Sequence, residues 1–162
     1  LLAGAGYAYG NSTALPFEKH FYGGGANSLR GWQARTVGPG LSQMDQSFVI
    51  PNQTGDMRLE ANIEYRFDIY WKFAGALFVD AGNIWTLQGS GVEEGRFRWN
   101  TFGESIAANW GVGLRLDFDF LLIRVDMGLK VHDPARVQRW VGPDQWFKRN
   151  GYALHFGVGY PF

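Results

Sequence analysis

Residues 57–67 read MRLEANIEYRF, and their alternation decides the fold. Met57, Leu59, Ala61, Ile63, Tyr65 and Phe67 fall on one side of an extended chain, while Arg58, Glu60, Asn62, Glu64 and Arg66 fall on the other. Successive side chains of a strand point to opposite faces, so this period of two predicts a strand with one apolar and one charged face. At about 3.3 Å per residue and a tilt of about 45°, these 11 residues cross roughly 25 Å, the height of the apolar band of an outer-membrane barrel.

The same alternation recurs on either side. Downstream, a short connection near Asp68 to Lys72 leads into KFAGALFVDAGNIW, with Phe73, Leu77, Val79 and Ala81 on one face and Asp80 on the other. Tyr70, Trp71 and Phe73 at that connection match the aromatic girdle of a barrel rim. Trp110, Val112, Leu114, Leu116 and Phe118 alternate with Gly111, Gly113, Arg115 and Asp117; the phase then changes near Phe120, which predicts a tight turn. Leu121, Ile123, Val125, Met127, Leu129 and Val131 follow, alternating with Leu122, Arg124, Asp126, Gly128 and Lys130. The chain closes on YALHFGVGYPF, with Tyr152, Leu154, Phe156, Val158, Tyr160 and Phe162 in one register. Upstream, LLAGAGYAYG at 1–10 places Ala3, Ala5, Tyr7 and Tyr9 together and predicts a first strand.

Six strands emerge, joined by long segments at 11–56, 87–105 and 132–151 and by very short turns near 70 and 119. Outer-membrane barrels place short turns on the periplasmic side and long loops outside, and an even strand count puts the C-terminus periplasmic. A soluble antiparallel sheet alternates too. Regular aromatic faces opposite faces of both charge signs favour an antiparallel all-β transmembrane barrel, with lipid outside and a polar lumen inside. Single-chain bacterial barrels start at about eight strands, so these six either pair with copies of themselves or belong to a larger barrel. Leu1 opens in mid-strand with no signal-like core, so the chain reads as the C-terminal piece of a longer one.

Composition narrows the function. The 162 residues carry no net charge, which argues against a nucleic-acid partner, and no cysteine, which removes disulfides and thiolate metal sites. No apolar run approaches the roughly 18–20 residues of a membrane helix; FAGALFV at 73–79 stops at Asp80. His20, His132 and His155 are scattered, no serine stands in a G-x-S-x-G elbow, and Ser28 has no evident base, so an enzyme is not expected. No metal or cofactor is expected either, because no histidine or carboxylate spacing converges and the glycine run lacks the G-K-[ST] ending of a phosphate loop.

The segment 21–40, FYGGGANSLRGWQARTVGPG, contains six glycines, and the aromatic residues Phe21, Tyr22 and Trp32 flank the run. Flexible linkers pair glycine with serine rather than with large aromatic anchors, so an ordered loop is expected. Arg30 offers a planar fork of donors suited to carboxylates, and Glu64 and Asp80 lie on the charged registers of adjacent strands. The expectation is that Arg30 pins the loop inside the barrel through Glu64 and Asp80, with Glu60 a weaker candidate, Gly31 allowing close approach to the wall and Trp32 packing behind. The competing reading makes Arg30 an exposed arginine and leaves Glu64 and Asp80 solvated or paired with Arg58, Arg66 or Arg115. Arg124, Asp126 and Lys130 read as a lumenal ladder of charges without a function.

FYGGGANSLRGW resembles the loop signature of the Omp85 superfamily, in which an arginine-glycine-aromatic motif follows a glycine-rich approach. IEYRF followed by FVDAGNIW resembles that family's next two strands, and the terminal alternation resembles its last. The resemblance implies the final six strands of a sixteen-stranded barrel, with 11–56 folded back into the lumen and POTRA domains and earlier strands upstream. It also implies assembly or insertion of outer-membrane proteins, or secretion, in a Gram-negative outer membrane, without a cofactor or chemical step. The bilayer, unfolded client proteins and accessory lipoproteins or periplasmic proteins would be the partners. BamA-like, TamA-like and organellar relatives share the motif, so the member is left open. A passive pore or adhesin, whose loop merely constricts the lumen, is the alternative.

Phe156, Val158, Tyr160 and Phe162 resemble the C-terminal signal by which such barrels are recognised, although lipid-facing alternation alone predicts the same residues. Pro161 lacks an N–H, and Gly157 and Gly159 carry no side chain, so the end of this strand is expected to pair weakly where, in the family, first and last strands meet.

Overall fold

The computed structural model describes residues 1–8, 15–43, 53–87, 93–118, 120–148 and 150–159. Six strands form one antiparallel sheet in chain order: β1 (Leu2–Ala5), β2 (Met57–Tyr70), β3 (Phe73–Trp85), β4 (Ala107–Phe118), β5 (Leu121–His132) and β6 (Tyr152–Val158). β2 runs three residues beyond the predicted stretch, through a register irregularity between Asp68 and Tyr70, and turns back at Trp71, whose φ is +54°. The first strand is shorter than its alternation predicts. It stops at Ala5, one hydrogen bond beyond which the Gly6 amide donates to the Asp56 carbonyl at 2.7 Å.

The register aligns the polar positions of neighbouring strands. Asn62 stands opposite Asp80, Asp80 opposite Asn109, Gly113 opposite Asp126, and Asp126 opposite His155. Both faces are therefore continuous across the sheet. On one, Ile63 is 73% exposed and Phe156 70%, with Tyr65, Leu77, Val79, Val112, Leu114, Val125, Leu154 and Val158 also open. On the other, Glu60, Asp80, Asn109, Arg115, Arg124 and Asp126 are buried. A water-soluble sheet buries its apolar face and exposes its charges. This sheet does the reverse, as a piece of a transmembrane barrel does.

What buries the charged face is the glycine-rich segment. It is tied at its ends by bridges between Phe21 and Gly55 and between Gly23 and Val37, and Gly24 and Gly25, both at positive φ, turn the chain toward the sheet. The Gly25 amide donates to the Trp32 carbonyl and the Trp32 amide to the Leu29 carbonyl, which makes 24–32 a compact hydrogen-bonded turn. Leu29, Trp32, Val37 and Ala107 form a small apolar core between this turn and β4. The segments 87–105 and 132–151 carry short helical turns at Phe102–Ser105 and Pro143–Trp146, and an aromatic cluster of Trp85, Phe97, Trp99 and Phe102 packs beside the first.

Candidate functional site

The site is built where the turn meets the charged face. Arg30 is fully buried. Its Nε and Nη2 donate to the two oxygens of Asp80 at 3.0 and 2.8 Å, and its Nη1 donates to Glu64 Oε2 at 2.5 Å. The Arg30 backbone N–H donates to Asp80 Oδ2 as well, at 3.1 Å. Side chain and main chain of one loop residue thus converge on one carboxylate, and the bidentate geometry suits a guanidinium where an ammonium would satisfy only one direction. The guanidinium carbon lies 3.5 Å from the centroid of the Phe78 ring, which forms its floor.

Each acid is itself held. Asp80 also accepts from Asn62 Nδ2 at 3.1 Å and Asn109 Nδ2 at 3.0 Å, so five donors meet a carboxylate that is wholly shielded from water. Glu64 is shared: Arg66 reaches Oε1 at 2.6 Å, and Arg115 reaches Oε2 at 3.2 Å. The competing pairing of Glu64 with Arg66 and Arg115 is therefore present together with the Arg30 pair. Arg115 continues to Asp126 at 2.5 Å, so the charges form a network across β2, β4 and β5. Burial opposes the charge of Arg30, but the hydrogen bonds and charge of Asp80, then those of Glu64, outweigh it and raise its pKa above the ordinary arginine value.

The neighbouring loop residues have their own contacts. Glu60 accepts from Ser28 Oγ and from Arg58 Nη2, both at 2.7 Å. Asn62 Nδ2 donates to the Ser28 carbonyl at 2.9 Å. Trp32 is 4% exposed, and Lys130 Nζ stands 4.8 Å from its ring centroid while pairing with Asp133 at 2.9 Å. A Cβ on Gly31 would lie 2.7 Å from Asn109 Cβ, which is the close approach to the wall expected of that glycine. Phe156 and Val158 lie on the exposed face of β6, whereas Tyr160 and Phe162 lie outside the described residues. The Gly159 amide still donates to the Leu122 carbonyl at 2.8 Å, so pairing persists one residue past the strand.

Several members of the site carry no signal in the linear sequence. One cross-strand row runs Glu64, Phe78, Gly111, Gly128, Ala153. Its third and fourth positions lack side chains: a Cβ on Gly111 would strike the Phe78 ring at 2.4 Å, and one on Gly128 would strike the Arg30 carbonyl oxygen at 2.1 Å. Together they leave a trough in which the Phe78 ring and the Arg30 backbone lie. Arg124, read from the sequence as part of a ladder without a role, donates to the Ala26 carbonyl at 3.1 Å and to Asn27 Oδ1. His155 Nε2 lies 3.1 Å from the Arg30 carbonyl oxygen.

A family model described as the Omp85 superfamily domain matches residues 2–162. The outer membrane protein assembly factor BamA of Neisseria meningitidis serogroup B is 31% identical over 86 residues, covering 48% of this chain and 10% of that protein. The match thus spans about a tenth of that relative's length. The family match takes in the loop, the arginine fork and all six strands, and the chain belongs to the Omp85 superfamily.

Proposed function

We propose that the chain forms the last six strands of a sixteen-stranded outer-membrane barrel, and that residues 11–56 fold into its lumen, where Arg30 pins them. The barrel acts in assembly and insertion of outer-membrane proteins, or in their translocation, with no chemical step or cofactor. POTRA domains and ten further strands precede Leu1 in this reading. Lipid meets the exposed apolar face, unfolded client proteins are the cargo, and lipoproteins or periplasmic proteins are accessory partners. Family membership and the assembly function named for the Neisseria relative support the coarse role.

The observation that carries the reading is the buried fork of Arg30 on Asp80 and Glu64. A planar cation held by two acids from adjacent strands fixes a long loop against a wall of charges, and it does so where water does not compete. Breaking a shielded pair by removing one partner costs about 3–5 kcal/mol, because the remaining charge is left uncompensated. Arg30→Ala and Arg30→Lys in the full-length protein test the role. Both are expected to lower the heat stability of the folded barrel on gels and to slow insertion of a test barrel into liposomes. Wild-type behaviour of both variants would remove the pinning role. Solute-selective conductance in a protein that promotes no insertion would replace the assembly reading with a passive pore or adhesin.

A further inference from the structure

We infer that His155 is a positioning residue that couples the terminal strand to the Arg30 loop, so that loosening either one loosens the other. The inference rests on the pinned-loop reading above and adds a second attachment, made from the opposite side of the site.

β6 is seven residues long, against 12 for β5, and among the described residues β5 is its strand partner. Its inward positions are Ala153, His155 and Gly157, and two of them engage the loop. His155 Nε2 meets the Arg30 carbonyl at 3.1 Å. A carbonyl oxygen only accepts, so Nε2 carries the hydrogen, and it does so in the Nε2–H tautomer and in the imidazolium alike. Gly157 acts indirectly: a Cβ there would lie 2.6 Å from Arg124 Nε, and the Arg124 guanidinium is the group that donates to Ala26 and Asn27.

Arg30 is consequently held at three points. Asp80 of β3 takes its N–H, Asp80 and Glu64 take its side chain, and His155 of β6 takes its carbonyl. That carbonyl lies over Gly128 with no space beneath it, so it faces the sheet rather than solvent. A buried carbonyl that loses its donor is costly, and the cost falls on both parties to the bond. Two segments that share one such contact are energetically linked, and linkage is reciprocal. The short terminal strand is therefore stabilised in part by a docked loop, and the loop in part by a paired strand.

Hydrogen exchange of the full-length protein in lipid nanodiscs tests this, read on peptides covering 24–33 and 152–158. The loop peptide has protected amides to report, since those of Gly24, Gly25, Ser28, Arg30 and Trp32 all donate within the protein. His155→Phe fills the space without a donor and is expected to speed exchange roughly 5- to 150-fold in both peptides. His155→Gln supplies an amide donor at a similar reach and is expected to restore most of the protection. Arg30→Lys is expected to speed exchange in 152–158 as well as in 24–33. Faster exchange of His155→Phe confined to 152–158, or His155→Gln as damaging as His155→Phe, overturns the coupling. If Arg30→Lys leaves 24–33 protected, the pinning by Arg30 fails, and the two His155 variants still decide the coupling separately.

Discussion

Gly128→Ala adds one methyl group at the most crowded point of the site. The new Cβ would stand 2.1 Å from the Arg30 carbonyl oxygen, 2.4 Å from its carbon and 2.7 Å from the Gly31 nitrogen. All three are backbone atoms, so no flexible side chain swings aside. Gly128 has ordinary strand geometry, and the substitution strains nothing in β5 itself. β5 is held between β4 and β6, which leaves the loop to move. Reaching an acceptable carbon–oxygen separation of about 3.3 Å takes a retreat of roughly 1.2 Å. The contacts of Arg30 with Asp80 and Glu64 now span 2.5–3.1 Å. That retreat carries them past about 3.5 Å, where hydrogen bonding fails. Loss of the shielded pair costs about 3–5 kcal/mol, and the backbone gain from replacing glycine does not offset it, because β5 is formed whether or not the loop is docked. A cost of about 3–5 kcal/mol shifts the docked-to-undocked ratio roughly 140- to 3,700-fold. Limited proteolysis of the loop in the full-length protein measures this, with Gly103→Ala as control because a Cβ there meets nothing within 4 Å. Equal protection of the two variants would refute the close seating of the loop on β5.

Asp80→Asn keeps the size but turns one oxygen into a donor amid five donors, and is expected to cost about 3–5 kcal/mol of loop docking. Glu64→Gln should cost less, because Arg30 keeps Asp80 and Arg115 keeps Asp126; exchange of residues 24–33 ranks the two. Trp32→Ala empties the small core with Leu29, Val37 and Ala107 and should cost about 3–5 kcal/mol, Trp32→Phe distinctly less, measured by the rate of protease cleavage within the loop. The raised pKa of Arg30 predicts pH behaviour. Its contribution is complete below the ordinary arginine value and is lost only as pH rises through the still higher folded value, so the difference in loop exchange between the wild type and Arg30→Ala should hold from about pH 7 to 9.

The strand faces were legible because a period of two survives without any knowledge of partners. Ile63, Tyr65 and Phe67 announce one face and Glu64 and Arg66 the other, and a shift of one residue would invert both. The Arg30 fork was legible for a related reason: an arginine in a glycine-rich loop needs acids, and Glu64 and Asp80 are the acids that alternation places inward. Strand ends were not so legible. Tyr7 continues the apolar register of Ala3 and Ala5, yet pairing with β2 ends at Ala5 opposite Met57, because the partner strand begins there. No local pattern in LLAGAGYAYG encodes where a strand 50 residues later starts.

The glycines of β4 and β5 show why the rest of the site stayed hidden. In the sequence Gly111 and Gly128 look alike and unhelpful, since a glycine inside a strand weakens it and packs nothing. Only the register makes them direct partners, and only the next steps of the same row set Phe78 beside one and Ala153 beside the other. The row then has a meaning that no single strand possesses: a carboxylate at Glu64, a ring at Phe78, and two empty positions into which a loop's backbone fits. The glycine-rich loop has to come close to the sheet for Arg30 to reach Asp80 with its N–H as well as its side chain, and the sheet has to be bare where the loop arrives. Loop glycine and wall glycine are thus two halves of one packing solution, and the fork forms at the depth that both of them allow.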